Sequence, residues 1–167
     1  MGTGMNYHEA AMTLFDLRRF EPRKGTTATA TLLSHLGDPH EDLACVQIAG
    51  SNGKGSTARL LEAVCLEAGL DVGLYTSPHL DDLRDRIRVD GRPMREAALV
   101  EAVEAAEDHL TDAAAAGESP TFFETVTAMA LWEFARRDVD VAILEVGIGG
   151  RYDATSVVGP VAAAVTS

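Results

Sequence analysis

The sequence reads as an α/β chain, a mostly parallel β-sheet with helices on both faces. Three observations predict this. Residues 43–49 and 139–146 are nearly continuous apolar runs rather than alternating ones, as expected of strands buried on both sides. Segments with helical periodicity separate such runs, the β-α-β rhythm of a parallel sheet. A glycine-rich turn, Gly50 to Ser56, leads from the first run straight into a helix. At 167 residues and 46% hydrophobic, the chain can bury one sizeable core, so residues 1–167 are expected to form one domain.

Taken in order, residues 6–20 predict a helix with Ala11, Leu14, Phe15 and Leu17 near one face, broken by Glu21-Pro22-Arg23-Lys24-Gly25. A second helix spans 27–35 and stops at Leu36-Gly37-Asp38-Pro39. The first strand is 43–49. The helix after the glycine-rich turn starts near Ser56, carries Leu60, Leu61, Val64 and Ala68 on one side, and closes at Gly69. Residues 72–76 form a second short strand, Ser77-Pro78-His79 a loop, 81–88 a charge-dense stretch and 87–89 a short extended piece. An alanine-rich acidic helix at 96–116 ends at Gly117 and Pro120, and another covers 121–136. Strands at 139–146 and 161–166 complete the series. Nothing follows the last strand to pack against it, so the sequence reads as truncated.

Charge and cysteine content exclude several classes. Asp and Glu number 26 against 14 Lys and Arg, a net charge of −12, which argues against nonspecific nucleic-acid binding and against an anionic membrane surface. No apolar run approaches the ~20 residues of a membrane span, and the N-terminus lacks the basic and apolar regions of a signal peptide. Cys45 and Cys65 form no CxxC pattern and read as reduced thiols of a cytoplasmic protein. There is no zinc pattern, no Cys/His nucleophile pair and no basic aromatic stripe.

The glycine-rich turn carries the chemistry. A strand ending at Gly50 and a helix starting just beyond leave backbone N–H groups unpaired around Ser51, Asn52, Gly53, Lys54, Gly55 and Ser56. Those donors, the positive end of the helix and the Lys54 ammonium favour a phosphate. Lys54 is one of only two lysines, so it is not drawn from a lysine-rich background. The turn is P-loop NTPase-like with one departure: Gly55 stands where the standard pattern has the Ser or Thr that binds magnesium. Either Ser56 or Thr57 serves instead, or the metal takes an oxygen from elsewhere.

Glu145 ends the third strand level with this loop, among apolar residues. An Mg2+ ion bridging it to the phosphates would offset the cost of burying it; an arginine or backbone donors would do so equally. Ser77, after the neighbouring strand, could supply the oxygen that Gly55 cannot. Gly147-Ile148-Gly149-Gly150-Arg151-Tyr152-Asp153 is not a G-x-G-x-x-G and follows a strand already assigned; its glycines would keep a loop close to a ligand. Thr121-Phe122-Phe123-Glu124 reads as a helix cap with an acidic first turn. The residues support an ATP-type site with magnesium and do not name the acceptor.

Ile48 to Ser56, Gly73-Leu74-Tyr75-Thr76-Ser77-Pro78-His79-Leu80, Arg86 to Val89, Thr121 to Glu124 and Leu144 to Thr155, in this order, resemble the folylpolyglutamate synthase/dihydrofolate synthase family of the Mur-ligase superfamily. The resemblance implies a Mur-ligase central domain and an ATP-dependent amide ligase. ATP would phosphorylate a carboxylate of dihydropteroate or a folate such as tetrahydrofolate, and L-glutamate would attack the acyl phosphate. Carried over by motif, Ser51, Asn52, Gly53, Lys54, Gly55 and Ser56 bind ATP, and Ser77 and Glu145 bind Mg2+. Lys54 and Glu145 are the catalytic pair. Thr121, Phe122, Phe123, Glu124, Tyr152, Asp153 and Ala154 line the acceptor pocket.

Two departures accompany the resemblance. Relatives carry Gly-Leu-Glu-Arg before the first strand, where this chain has Gly25-Thr26-Thr27-Ala28. The family also continues past Ser167 into further magnesium-binding residues and a C-terminal domain, so these 167 residues alone are expected to be inactive. The alternatives are a nucleotide-binding remnant without ligase activity and a Mur-type ligase with another acceptor.

Overall fold

The computed structural model describes residues 4–17, 25–79 and 81–167. Among the described residues, five helices and six strands follow one another as α1 (Tyr7–Asp16), α2 (Thr27–His35), β1 (Cys45–Gly50), α3 (Lys54–Glu67), β2 (Val72–Tyr75), β3 (Ile87–Val89), β4 (Arg92–Pro93), α4 (Glu96–Ala115), α5 (Phe122–Arg136), β5 (Val141–Glu145) and β6 (Ala162–Thr166). Single 3₁₀ turns lie at Leu83–Arg86 and Ala154–Val157. The α/β expectation holds: the sheet order is β4-β3-β2-β5-β1-β6, with β2, β5, β1 and β6 parallel and the β3–β4 edge antiparallel. No helix among the described residues is long and apolar enough to cross a membrane.

Local chemistry fixes the helix ends. Asn6 caps α1 and Thr121 caps α5, each in a reciprocal box with the glutamate three residues on, Glu9 and Glu124. The predicted first helix reached residue 20. The described helix ends at Asp16, and residues 18–24, with the predicted break, lie outside the described residues. The helix expected near Ser56 begins two residues earlier, at Lys54, because Gly53 adopts φ +77, a left-handed conformation that turns the chain into α3 without a Cβ clash.

The two faces of the sheet are covered unequally. Alternation along β5 sends Ala142 and Leu144 to one face and Ile143 to the other. The first face packs under α1, α2, α4 and α5, around Leu14, Leu32, Leu99, Met129, Leu131 and Phe134, all buried. On the second, α3 alone covers Ile48, Val72, Leu74 and Ile143, chiefly through Ala58, Leu61 and Cys65. The expected apolar side of α3 is corrected here: Leu60 and Val64 are 69% and 66% exposed. Apolar residues occur on two adjoining stripes of this helix, and the stripe of 58, 61, 62 and 65 is the one that meets the sheet. Glu62 is therefore buried, facing Arg88 of β3 at 3.5 Å.

Candidate functional site

The parallel register sets the site. Ile48 of β1 lies opposite Glu145 of β5, Leu144 opposite Tyr75 of β2, and Gly50 opposite Thr166 of β6. Four carboxyl ends thus converge, and β5 lies between the strands that α3 connects, the place where open α/β sheets bind ligands. The same alternation that turns Ile143 toward α3 turns Glu145 that way too. A Cβ built on Gly55 would stand 3.4 Å from Glu145 Oε2, so the first turn of α3 and the end of β5 touch through the glycine.

Glu145 is 5% exposed, and the Ser77 N–H donates to its Oε2 at 3.0 Å. No arginine satisfies it among the described residues; a backbone donor does. A cavity of about 500 Å³ opens here, lined by Gly55, Ser56, Arg59, Thr76, Ser77, Pro78, Asp81, Asp85 and Glu145. Ser51, Asn52 and Gly53 form the exposed turn before α3, with the Asn52 N–H donating to the Ser167 carbonyl at 2.7 Å, and Lys54 opens the helix. Of the residues singled out from the sequence, the cavity brings together Gly55, Ser56, Ser77 and Glu145.

A buried carboxylate beside the hydroxyl-bearing residues Ser56 and Ser77 is a set of hard oxygen donors, the chemistry that suits Mg2+. Among the described residues no group of three His, Cys, Asp or Glu is placed to hold a metal by itself. A magnesium ion here would complete its shell with water and phosphate oxygens, as this ion commonly does.

The other predicted residues form a second neighbourhood. The Phe123 ring lies 2.7 Å from a Cβ built on Gly147, and Asp153 Oδ2 lies 3.1 Å from it. Thr121 and Glu124 are buried and bonded to each other's backbone as the α5 cap. Phe122 stacks on Phe15 with Arg86 over its ring, Ala154 is buried, and Tyr152 is 60% exposed. Asp153 is buried and fully engaged internally: it accepts from the N–H groups of Ile148 and Thr155 and from the Thr155 hydroxyl. Gln47 of β1 ties the same loop down by donating to the Thr155 carbonyl at 2.8 Å.

Sequence reading missed Arg59, Thr76, Pro78, Asp81 and Asp85 as cavity residues. Arg59 carried a signal, standing one helical turn after Gly55. Asp81 and Asp85 were visible only as members of a charged stretch. Next to Asp81 in the chain, hydrogen bonding from Arg84 holds Asp82 well below the usual carboxylate range, at about 2, and the Tyr7 hydroxyl of α1 donates to the same carboxylate at 3.0 Å. His79 accepts from Arg86 Nε at 2.8 Å through Nδ1. Burial raises the Tyr75 phenol, which accepts from the Thr127 hydroxyl, and pushes the Cys45 thiol up to about 11.

No protein-family model matches the chain. It is 63% identical over 164 residues to a Halobacterium salinarum protein described as a probable bifunctional folylpolyglutamate synthase/dihydropteroate synthase, covering 98% of this chain and 20% of the relative. It is 40% identical to the folylpolyglutamate synthase of Lacticaseibacillus casei, covering 97% of this chain and 38% of that one. A solved structure described as an FPGS–AMPPCP–folate complex superposes with a TM-score of 0.89 at 40% identity, over 96% of this chain and 40% of that one. The chain thus spans a fifth to two fifths of the length of these relatives.

Proposed function

The chain belongs to the folylpolyglutamate synthase/dihydrofolate synthase family, and from that premise we propose that it supplies the nucleotide-phosphate site of an ATP-dependent ligase joining L-glutamate to dihydropteroate or a folate. The observation that carries this reading is the meeting of Gly55 and Ser56, at the end of the glycine-rich turn, with Ser77 and buried Glu145 at one cavity.

In this reading the backbone of Ser51 to Ser56 and the Lys54 ammonium hold the triphosphate, and the start of α3 adds its positive end. Glu145 and Ser77 are the Mg2+ ligands, and the ion, when bound, would neutralise phosphate charge. An acceptor carboxylate oxygen attacks the γ-phosphorus and the bond to the bridging oxygen breaks, releasing ADP. The glutamate nitrogen then attacks the acyl carbon, loses a proton and expels inorganic phosphate. The protein's work is alignment and charge placement, as in other phosphoryl transfers. Thr121 to Glu124 and Tyr152 to Ala154 flank the acceptor, Thr121, Glu124 and Asp153 by holding its walls.

The test is glutamate-dependent ADP release by the intact protein with dihydropteroate and with tetrahydrofolate. Lys54→Ala is expected to abolish it while leaving the melting temperature unchanged. Turnover unaffected by that substitution would overturn the assignment, and turnover only with other acceptor acids would replace the acceptor.

A further inference from the structure

Arg59 is a cation of the cavity that the proposed reaction does not yet use. Gly55 faces Glu145, and Arg59 stands four residues on, on the same face of α3. Helical side chains tend to lean toward the N-terminus, the end of α3 that carries the glycine-rich turn, and Arg59 lines the cavity with Ser56, Ser77 and Glu145.

Its local partner leaves it underused. Among the described residues, Glu62 is the one carboxylate within ion-pair reach of Arg59, at 3.9 Å, and Arg88 holds Glu62 more closely, at 3.5 Å. The Arg59 side chain remains 43% exposed. The other charged groups lining the cavity are Asp81, Asp85 and Glu145, all acidic. An anionic reactant entering among three carboxylates needs a cation, and a guanidinium fork suits phosphate and carboxylate oxygens alike.

We infer that Arg59 is a further anion-binding residue of the phosphoryl-transfer site, its guanidinium holding an oxyanion of the reacting groups. The inference rests on the ligase reading above and deepens it. The oxyanion belongs to the γ-phosphate or to the acceptor carboxylate, and the experiment separates the two.

The intact protein and its Arg59→Ala, Arg59→Lys and Glu62→Gln variants would be titrated with a non-hydrolysable ATP analogue in magnesium, and KM for the acceptor acid and melting temperature recorded. Arg59→Ala is expected to weaken one constant by about 10- to 100-fold, the scale of a charge-assisted contact, with an unchanged melting temperature. Arg59→Lys recovers part of it, and Glu62→Gln does not reproduce it. A weaker nucleotide Kd identifies the phosphate; a raised acceptor KM alone identifies the carboxylate. The inference is overturned if neither constant moves, if Glu62→Gln moves the same constant equally, or if the loss tracks a fall in melting temperature. A parent protein that binds no nucleotide overturns the ligase reading itself, which is a separate result.

Discussion

The two faces of the sheet differ in what they are built for. Four helices seal one face around fully buried Leu131, Met129 and Phe134. A single helix covers the other, and on that side lie the glycine-rich turn, Glu145 and the cavity. Stability can be concentrated where nothing has to enter. In the proposed reaction, the thin cover of the other face would leave backbone N–H groups and a carboxylate reachable by a ligand. The Glu62–Arg88 pair on that face leaves Glu62 Oε1 and Arg88 Nε without hydrogen-bond partners, and on the sealed face the buried Thr29 hydroxyl of α2 is left so too, so neither face is free of that cost.

The comparison can be broken most directly by Phe134→Ala. Phe134 is fully buried against the β2 backbone at Gly73, and its truncation is expected to cost ~3–5 kcal/mol in urea denaturation. A loss under ~1 kcal/mol would mean that the four-helix face is not the stabilising one. Gly50→Ala comes next, at the β1–β6 edge. The new Cβ would fall 2.1 Å from Thr166 Oγ1 and 2.5 Å from the Thr166 carbonyl oxygen, at φ +134. Overpacking there is expected to cost ~1–3 kcal/mol and to displace the phosphate turn, read as weakened nucleotide binding.

A smaller effect is expected at Asp82, next in the chain to the cavity residue Asp81. Hydrogen bonding from Arg84 gives folded Asp82 a pKa of about 2, below the ~3.9 of an unfolded chain. Its stabilisation is therefore complete above about pH 4 and is lost as pH falls toward 2. Asp82→Asn should flatten the melting temperature between those values relative to the parent; parallel curves would remove Asp82 as a contributor. The smallest change is expected at Leu60→Ser on the outer side of α3, within ~0.5 kcal/mol. A large loss would show that this exposed surface is packed in solution.

Much of this was legible one residue at a time. Unbroken apolar runs announced β1 and β5, Gly37 and Pro39 announced the end of α2, and Thr121 with Glu124 announced the α5 cap, because strand burial, helix stops and caps are local chemistry. The glycine-rich turn was equally local. The outward placement of Leu60 and Val64 was not, since α3 carries two apolar stripes and only its seat on β1, β2 and β5 selects one. Asp153 illustrates the same limit: the family resemblance puts it at the acceptor pocket, and only the fold shows that it accepts from the Ile148 and Thr155 N–H groups and holds that loop.

The sequence by itself determined the α/β class, the glycine-rich strand-to-helix turn and the carboxylate at the end of β5, because each is written in neighbouring residues. Tertiary structure alone decided that Glu145 meets Gly55, that Ser77 donates to it and that Arg59 joins them. Those residues lie on separate elements, and only the parallel register of β1, β2 and β5 brings their ends to one edge of the sheet.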